Sequence, residues 1–362
     1  AGSDAQLLAP VSPDEVLSAV ARARPHTSSP GDVSIDVIKV LCRLVDPDAE
    51  EVQHRPLTHA LALLYESCRV GGFSLDSWRK TSVVLLHKAG RDPSKVRSWR
   101  HVVLNSVLYR IYTSIWTQRF ITFINAGRIT SLQHGYLPTF GPQLHPFVLR
   151  EAILDSRRSG ADFHTVFIDF TNAFGTIEFG LVRRSMTSMG FPASIVSLVS
   201  ELHTGNVMDF SSALGQPAGD DMCAPLGRGV RQGCALSSIL FIICLSALLV
   251  WLRHDGDGDE SLGYTFQWDD LQHTDGLVAS AGSGTDDTIP VSAYADDIAL
   301  MSWAAGAMRQ LVRRIASFCT ESGMATNAAK CASMVARGGH LRTDQPVVVG
   351  GEVVPSLGVG CD

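Results

Sequence analysis

Two adjacent carboxylates, Asp296 and Asp297, stand between two short apolar runs in the stretch Val291-Ser292-Ala293-Tyr294-Ala295-Asp296-Asp297-Ile298-Ala299-Leu300-Met301. Val, Ile, Tyr and Leu around a brief polar centre read as two strands joined by a tight turn. Such a hairpin holds its turn residues clear of the sheet, so the two carboxylates are expected together at one end of a rigid support. Like charges that close repel each other unless a cation lies between them. The stretch therefore raises the question of which other segment supplies a third carboxylate.

One segment offers it. His164-Thr165-Val166-Phe167-Ile168 is apolar or β-branched enough for a buried strand, and Asp169 follows directly. A lone Asp after a strand is also an ordinary helix N-cap. Beside Asp296 and Asp297 it gains a second meaning, because antiparallel strands distant in sequence are often neighbours in one sheet.

Composition limits what such a site can belong to. With 362 residues, 45% hydrophobic, the chain is long enough for two domains and a large core. Charged residues are 18% and the net charge is −6, so the chain as a whole lacks the basic excess of a typical nucleic-acid binder. Locally the balance differs. Between residues 79 and 100 seven cations, Arg79, Lys80, Lys88, Arg91, Lys95, Arg97 and Arg100, face one Asp. They flank a strand, Trp78 to Lys88, and a second apolar run, His101 to Leu104. The pattern reads as a hairpin, either simply solvated or able to grip phosphates. The eight cysteines include no C-x-x-C pair and read as free thiols of a reducing compartment. Ala235 to Leu252 is uncharged over 18 residues, yet its three serines and its Gly-Cys entry favour a buried core helix over a membrane span. Ala1-Gly2-Ser3 reads as a tag remnant.

Along the chain, helices are expected over 13–24 with Ser12 as N-cap and Pro13 at N1, and over 57–69, 105–124, 145–158 and 304–320. Residues 181–204 alternate helix and turn, and 347–354 reads as a closing hairpin. A Gly-rich stretch, Arg228 to Ser238, leads into the apolar helix and would let backbone approach a phosphate or base. Residues 253–290 are acidic, Gly-rich and poor in core residues, as in an inserted loop. Its Asp255-Gly256-Asp257-Gly258-Asp259-Glu260 run lacks the bidentate Glu that closes a calcium loop, since Phe266 and Gln267 stand there.

The ordered set of these motifs resembles a reverse transcriptase, most similar to the non-LTR (LINE-type) retrotransposon enzymes. Asp169 with Ala173-Phe174 resembles motif A, Arg231-Gln232-Gly233 with Leu236-Ser237 motif B, and Tyr294-Ala295-Asp296-Asp297 motif C. Gly323, Asn327 and Lys330 resemble motif D, and Leu357-Gly358 the end of motif E. Trp78 to Lys88 and Trp99-Arg100 resemble the fingers motifs, Gln133-His134-Gly135-Tyr136 the motif just ahead of the palm, and Ser29-Pro30-Gly31 the N-terminal extension.

The resemblance implies an α+β right-hand polymerase. It places an N-terminal extension and fingers at 1–160, and at 161–362 a palm whose antiparallel sheet is backed by helices and which carries the insertion 253–290. It implies an RNA-directed DNA polymerase that uses two Mg²⁺ ions, with Mn²⁺ as a substitute, and binds an RNA template, a DNA primer and a dNTP. Asp169, Asp296 and Asp297 are the implied metal ligands, and Lys330 the cation near pyrophosphate. Phe174 is the ring that blocks a ribose 2′-hydroxyl. Lys88 and Arg100 would hold the triphosphate, and Arg231, Gln232 and Gly233 would lie at the nascent base pair. No thumb is expected after motif E, so a separate chain or segment would supply it. The setting implied is intracellular, away from membranes, and the nucleus for a eukaryotic element. The sequence departs from the pattern at Gly175, where Asp is usual, at His101-Val102 for Pro-Ile, at Leu137 for Arg, and at Val33-Ser34 for Gly-Ile. The altered fingers motifs, the acidic insertion and the expected lack of a thumb sustain one alternative, a reverse-transcriptase-derived structural or protein-binding component with little or no polymerase activity.

Overall fold

The computed structural model describes residues 2–24, 33–44, 55–138, 141–211, 213, 215, 222–253, 262–267, 288–342 and 347–357. The Ser29-Pro30-Gly31 motif, Gly358, Cys361 and nearly all of the acidic insertion lie outside them. Helices and sheets are mixed in the α+β manner, and the chain divides into two units, residues 1–126 with 186–240 and residues 127–185 with 241–362.

The first unit is built on helix Val107–Asn125, whose buried Tyr109, Tyr112, Trp116, Phe120 and Phe123 give it an aromatic side. Tyr112 stacks on Tyr65 at 5.0 Å and tilts against Trp78 at 5.3 Å, and Phe120 meets Phe191 edge-on at 4.9 Å. Aromatic burial of this kind dominates core energetics. Helix Pro13–Arg22 begins as its sequence requires, with a capping box: Ser12 Oγ accepts from Glu15 N at 3.2 Å, and Glu15 Oε2 accepts from Ser12 N at 3.0 Å. Helix Pro56–Gly71 stops at Gly72 in the left-handed region, at φ 64°.

The expected basic hairpin is present and belongs to a larger sheet. Strand Lys80–His87 pairs antiparallel with Trp99–Leu104, then parallel with the short strand Val207–Asp209, which pairs antiparallel with Cys223–Pro225. The basic patch is partly neutralised. Arg79 Nη2 meets Glu201 Oε1 at 2.6 Å, Lys80 Nζ meets Asp209 Oδ2 at 3.4 Å, and Lys95 Nζ meets Asp92 Oδ2 at 3.8 Å. Two of those acids come from residues 201 and 209, far outside the window that made the patch look unopposed.

The second unit is built on an antiparallel sheet of five strands in the order His340–Arg342, Ala332–Arg337, Phe163–Ile168, Asp297–Ser302 and Val291–Tyr294. Helix Leu144–Ser159 covers it, its Ala152 sharing one cluster with Phe163, Tyr264, Met301 and Ala336. Residue 160 lies inside this unit: Gly160 (φ 72°) ends a helix that packs on the sheet the next strand enters. Buried Asp155 on that helix accepts from Tyr264 Oη at 2.7 Å and Gln267 N at 3.0 Å, so the segment resuming before the hairpin is tied to the same core. Helix Ala305–Ser322 ends at Gly323 (φ 69°) and the closing hairpin turns at Gly350-Gly351, both at positive φ.

Helix Ala235–Arg253 is long and apolar enough to cross a membrane, and most of it is buried within the protein. The seven described cysteines are all free.

Candidate active site

The carboxylate hairpin forms as the sequence reads, with one difference. Strands Val291–Tyr294 and Asp297–Ser302 are joined by the two-residue turn Ala295-Asp296, so Asp297 opens the second strand instead of sharing the turn. The turn is possible because Ala295 takes a left-handed conformation, φ 55°.

Strand Phe163–Ile168 supplies the third carboxylate. Ile168 pairs with Ile298 in an antiparallel ladder, so the next step of the register sets Asp169 across from Asp297. The competing reading of Asp169 as a helix cap does not hold, since Asn172 is the residue before the short helix Ala173–Thr176. Residues 325–331 fix the backbone around Asp169. Asn327 N donates to Asp169 O at 2.8 Å, Thr171 N donates to Ala325 O at 2.7 Å, and Asp169 N donates to Cys331 Sγ at 3.4 Å.

Electrostatics single out Asp296. Burial pushes the Asp296 carboxyl up, and the charges of Asp297 and Asp169 push it further, while Lys330 opposes them. Lys330 Nζ donates to Asp169 Oδ1 at 3.2 Å, and Asp169 Oδ2 is buried without a partner. Among the described residues no three His, Cys, Asp or Glu side chains are gathered closely enough to cage an ion as they stand. Mg²⁺ needs no such cage, because it takes one or two carboxylates and keeps water and substrate oxygens. Hard oxygen donors and an orphaned carboxylate oxygen suit it.

Phe174 stacks on Phe241, with ring centres 4.5 Å apart and 23° between planes, and meets Tyr136 edge-on at 6.4 Å. Gly175, the departure from the motif A pattern, lies beside the Asn172 side chain. A Cβ there would lie 2.3 Å from Asn172 Nδ2, so any side chain would force Asn172 to move.

The remaining expected residues belong to the first unit. Arg100 pairs with Leu86 in the hairpin and is exposed, and Lys88 is half-buried, its N–H donating to Ser98 O at 2.8 Å. Gln232 O accepts from Val103 N at 2.9 Å, and Gly233 (φ 118°) lies so close to the strand that a Cβ would stand 2.7 Å from Val103 O. Arg231, expected among the substrate contacts, is instead 1% exposed. Its guanidinium donates to Asn105 Oδ1 at 3.0 Å and to Asn206 Oδ1, and lies over the Tyr109 ring at 4.5 Å. Partners at 105, 109 and 206 carry no local sequence signal, so an Arg in a Gly-rich loop reads as a surface cation until the fold is seen.

Comparison with known proteins agrees with this geometry. Residues 86–353 match the family described as Reverse transcriptase (RNA-dependent DNA polymerase). The chain is 25% identical over 260 residues to the Retrovirus-related Pol polyprotein from type-1 retrotransposable element R2 of Popillia japonica, covering 71% of this chain and 32% of that protein. It is 27% identical over 301 residues to the Transposon TX1 uncharacterized 149 kDa protein of Xenopus laevis, covering 82% of this chain and 20% of that one. With the polyprotein of type-2 element R2DM of Drosophila melanogaster it shares 23% over 266 residues, covering 72% and 22%. The chain spans a third or less of the length of these relatives. A family match across most of the chain, around a sheet that carries three carboxylates, makes this protein a member of the reverse transcriptase (RNA-dependent DNA polymerase) family, of the non-LTR retrotransposon type.

Proposed function

We propose that this domain joins a dNMP to the 3′-hydroxyl of a DNA primer on an RNA template. The observation that supports it most is the ladder from Ile168 to Ile298, which sets Asp169 across from Asp297 beside the turn holding Asp296. In the reaction the primer oxygen bonds to the α-phosphorus as the bond to pyrophosphate breaks in line. Asp169, Asp296 and Asp297 would hold two Mg²⁺ ions, which lower the pKa of the primer hydroxyl and offset charge on the attacking and leaving oxygens.

The chain's own residues do the rest. Lys330, exposed and beside Asp169, supplies a proton to the departing pyrophosphate. Phe174, fixed by Phe241, excludes a ribose 2′-hydroxyl. Lys88 and Arg100 are assigned the triphosphate, and Gln232 and Gly233 the nascent base pair, on the family pattern. Arg231 acts by bracing that loop from within. On the same pattern residues 1–160 are the extension and fingers and 161–362 the palm.

The test is extension of a DNA primer on an RNA template with Mg²⁺ or Mn²⁺. Incorporation of dNTPs by the wild-type chain and none by Asp296→Ala is expected. No incorporation by the wild type with protein in excess would remove the polymerase reading in favour of a structural role.

A further inference from the structure

The carboxylate turn is held from one side by the segment just ahead of helix Leu144–Ser159. Ala293 N donates to Leu132 O at 2.9 Å and His134 N donates to Ala293 O at 2.8 Å, so this segment runs parallel to strand Val291–Tyr294. Between those two bonds the side chain of Gln133 reaches the turn itself. Its Oε1 accepts from Ala295 N at 2.8 Å and from Gly135 N at 2.8 Å, and its Nε2 donates to Ala295 O at 3.4 Å. Gln133 is 2% exposed and Ala295 3%, so both lie away from water. A buried amide that meets the N–H and C=O of one residue acts there as a strand partner would.

That residue is the one that most needs holding. Ala295 sits at φ 55°, a region unfavourable for a residue with a Cβ, and it directly precedes Asp296. Asp296 and Asp297 follow directly in the chain, so a change in the conformation of Ala295 would move both carboxylates. Gly135 closes the seat from the neighbouring backbone. A Cβ there would lie 2.3 Å from Ala295 N and 2.8 Å from its Cα, and only glycine fits.

We infer that Gln133 and Gly135 form a clamp that fixes the left-handed Ala295 and so holds in place the turn that carries Asp296. Gln133 is thus a positioning residue for the cation site. The inference rests on the polymerase reading of that site, and it asks for no contact between Gln133 and substrate.

The test measures Mn²⁺ binding to the full chain by electron paramagnetic resonance, beside primer-extension kinetics and metal-free melting curves. The variants are Gln133→Met, which fills the space without the amide, Gly135→Ala, and Asp296→Ala. A control, Ile153→Ala, weakens the core on the covering helix away from the turn. Losing the clamp's hydrogen bonds should weaken Mn²⁺ binding about tenfold in Gln133→Met and at least as much in Gly135→Ala. The turnover number should fall with it, while KM for dNTP stays within about twofold, as for a residue that does not touch substrate. Ile153→Ala should melt earlier and bind Mn²⁺ as the wild type does. Wild-type Mn²⁺ affinity in Gln133→Met, with affinity lost in Asp296→Ala, would overturn the clamp and leave the site intact. Wild-type affinity in Asp296→Ala would overturn the site reading itself, and the clamp with it.

Discussion

Lys330 Nζ lies 3.2 Å from Asp169 Oδ1, although 161 residues separate them in the chain. The pair forms because the segment carrying Lys330 is stitched to the backbone of Asp169 through Asn327 and Cys331. Lys330 is exposed, so the ion pair itself adds little to stability. In the proposed reaction its role comes from its position beside Asp169.

Lys330→Ala should therefore leave the melting temperature within about 1 °C, as expected for a surface pair. It should lower the single-turnover rate of incorporation about a hundredfold, the low end for loss of a general acid. Rapid-quench kinetics with saturating dNTP checks this. A loss confined to KM would make Lys330 a binding group only.

Phe174 is held by a stacked partner, Phe241, so its ring is a wall with little freedom to turn aside. Phe174→Ala should raise incorporation of rNTPs relative to dNTPs by about ten- to a hundredfold, the range for steric discrimination in a pocket. Competition between labelled dNTP and rNTP on one template measures it. Unchanged sugar selectivity would remove the assignment.

The carboxylate turn, the strand ahead of Asp169 and the long helices could be read from the sequence because each depends on local pattern. Alternation, turn residues, a Ser12 cap and glycines at helix ends act within a few residues. What could not be read depends on partners far away. Glu201 and Asp209 answer Arg79 and Lys80 across more than a hundred residues, and Asn105 and Asn206 draw Arg231 inward. Strand Val207–Asp209 is three residues long and owes its existence to the ladder it joins. Gln133 had no visible role because its partner, Ala295, is 162 residues on.

Arg119 was likewise invisible, one of two Arg in a largely apolar helix. It is 3% exposed and reaches Glu15 through two contacts of 2.7 Å, with Ala9 O and Pro10 O as further acceptors. Burial alone would raise the Glu15 carboxyl, but the hydrogen bonds from Arg119 and Ser12 outweigh it and hold it below its ordinary value. A depressed carboxylate contributes stability above its unfolded pKa and loses that contribution as pH falls through the folded one. Glu15→Gln should thus cost about 3 kcal/mol at pH 7, where it leaves a buried guanidinium without its counter-charge. The cost should shrink once the wild-type Glu15 is itself protonated in acid. Urea denaturation at pH 7 and in the acid range measures both, and a cost that grew in acid would contradict the pairing.

Asp296 presents the opposite case, and it links the site to stability. Its carboxyl is pushed up by burial and by Asp297 and Asp169. A carboxyl raised in the folded state favours folding while it is protonated, and that contribution is lost as pH rises through the folded pKa. At neutral pH and without metal, ionised Asp296 is therefore a cost to the fold. Asp296→Asn should raise the metal-free melting temperature by about 2 °C, the shift that roughly 1 kcal/mol gives in a domain of this size. The gain should fade as pH falls toward the carboxylate range, since protonated Asp and Asn carry the same charge. Millimolar Mg²⁺ should reverse the order, because an ion bound to the native state stabilises the wild type by mass action and the variant much less. Scanning calorimetry with EDTA or with Mg²⁺ tests both halves. A destabilised variant without metal would mean that Asp296 is already compensated in the fold, and the case for a cation at this turn would lose its electrostatic basis.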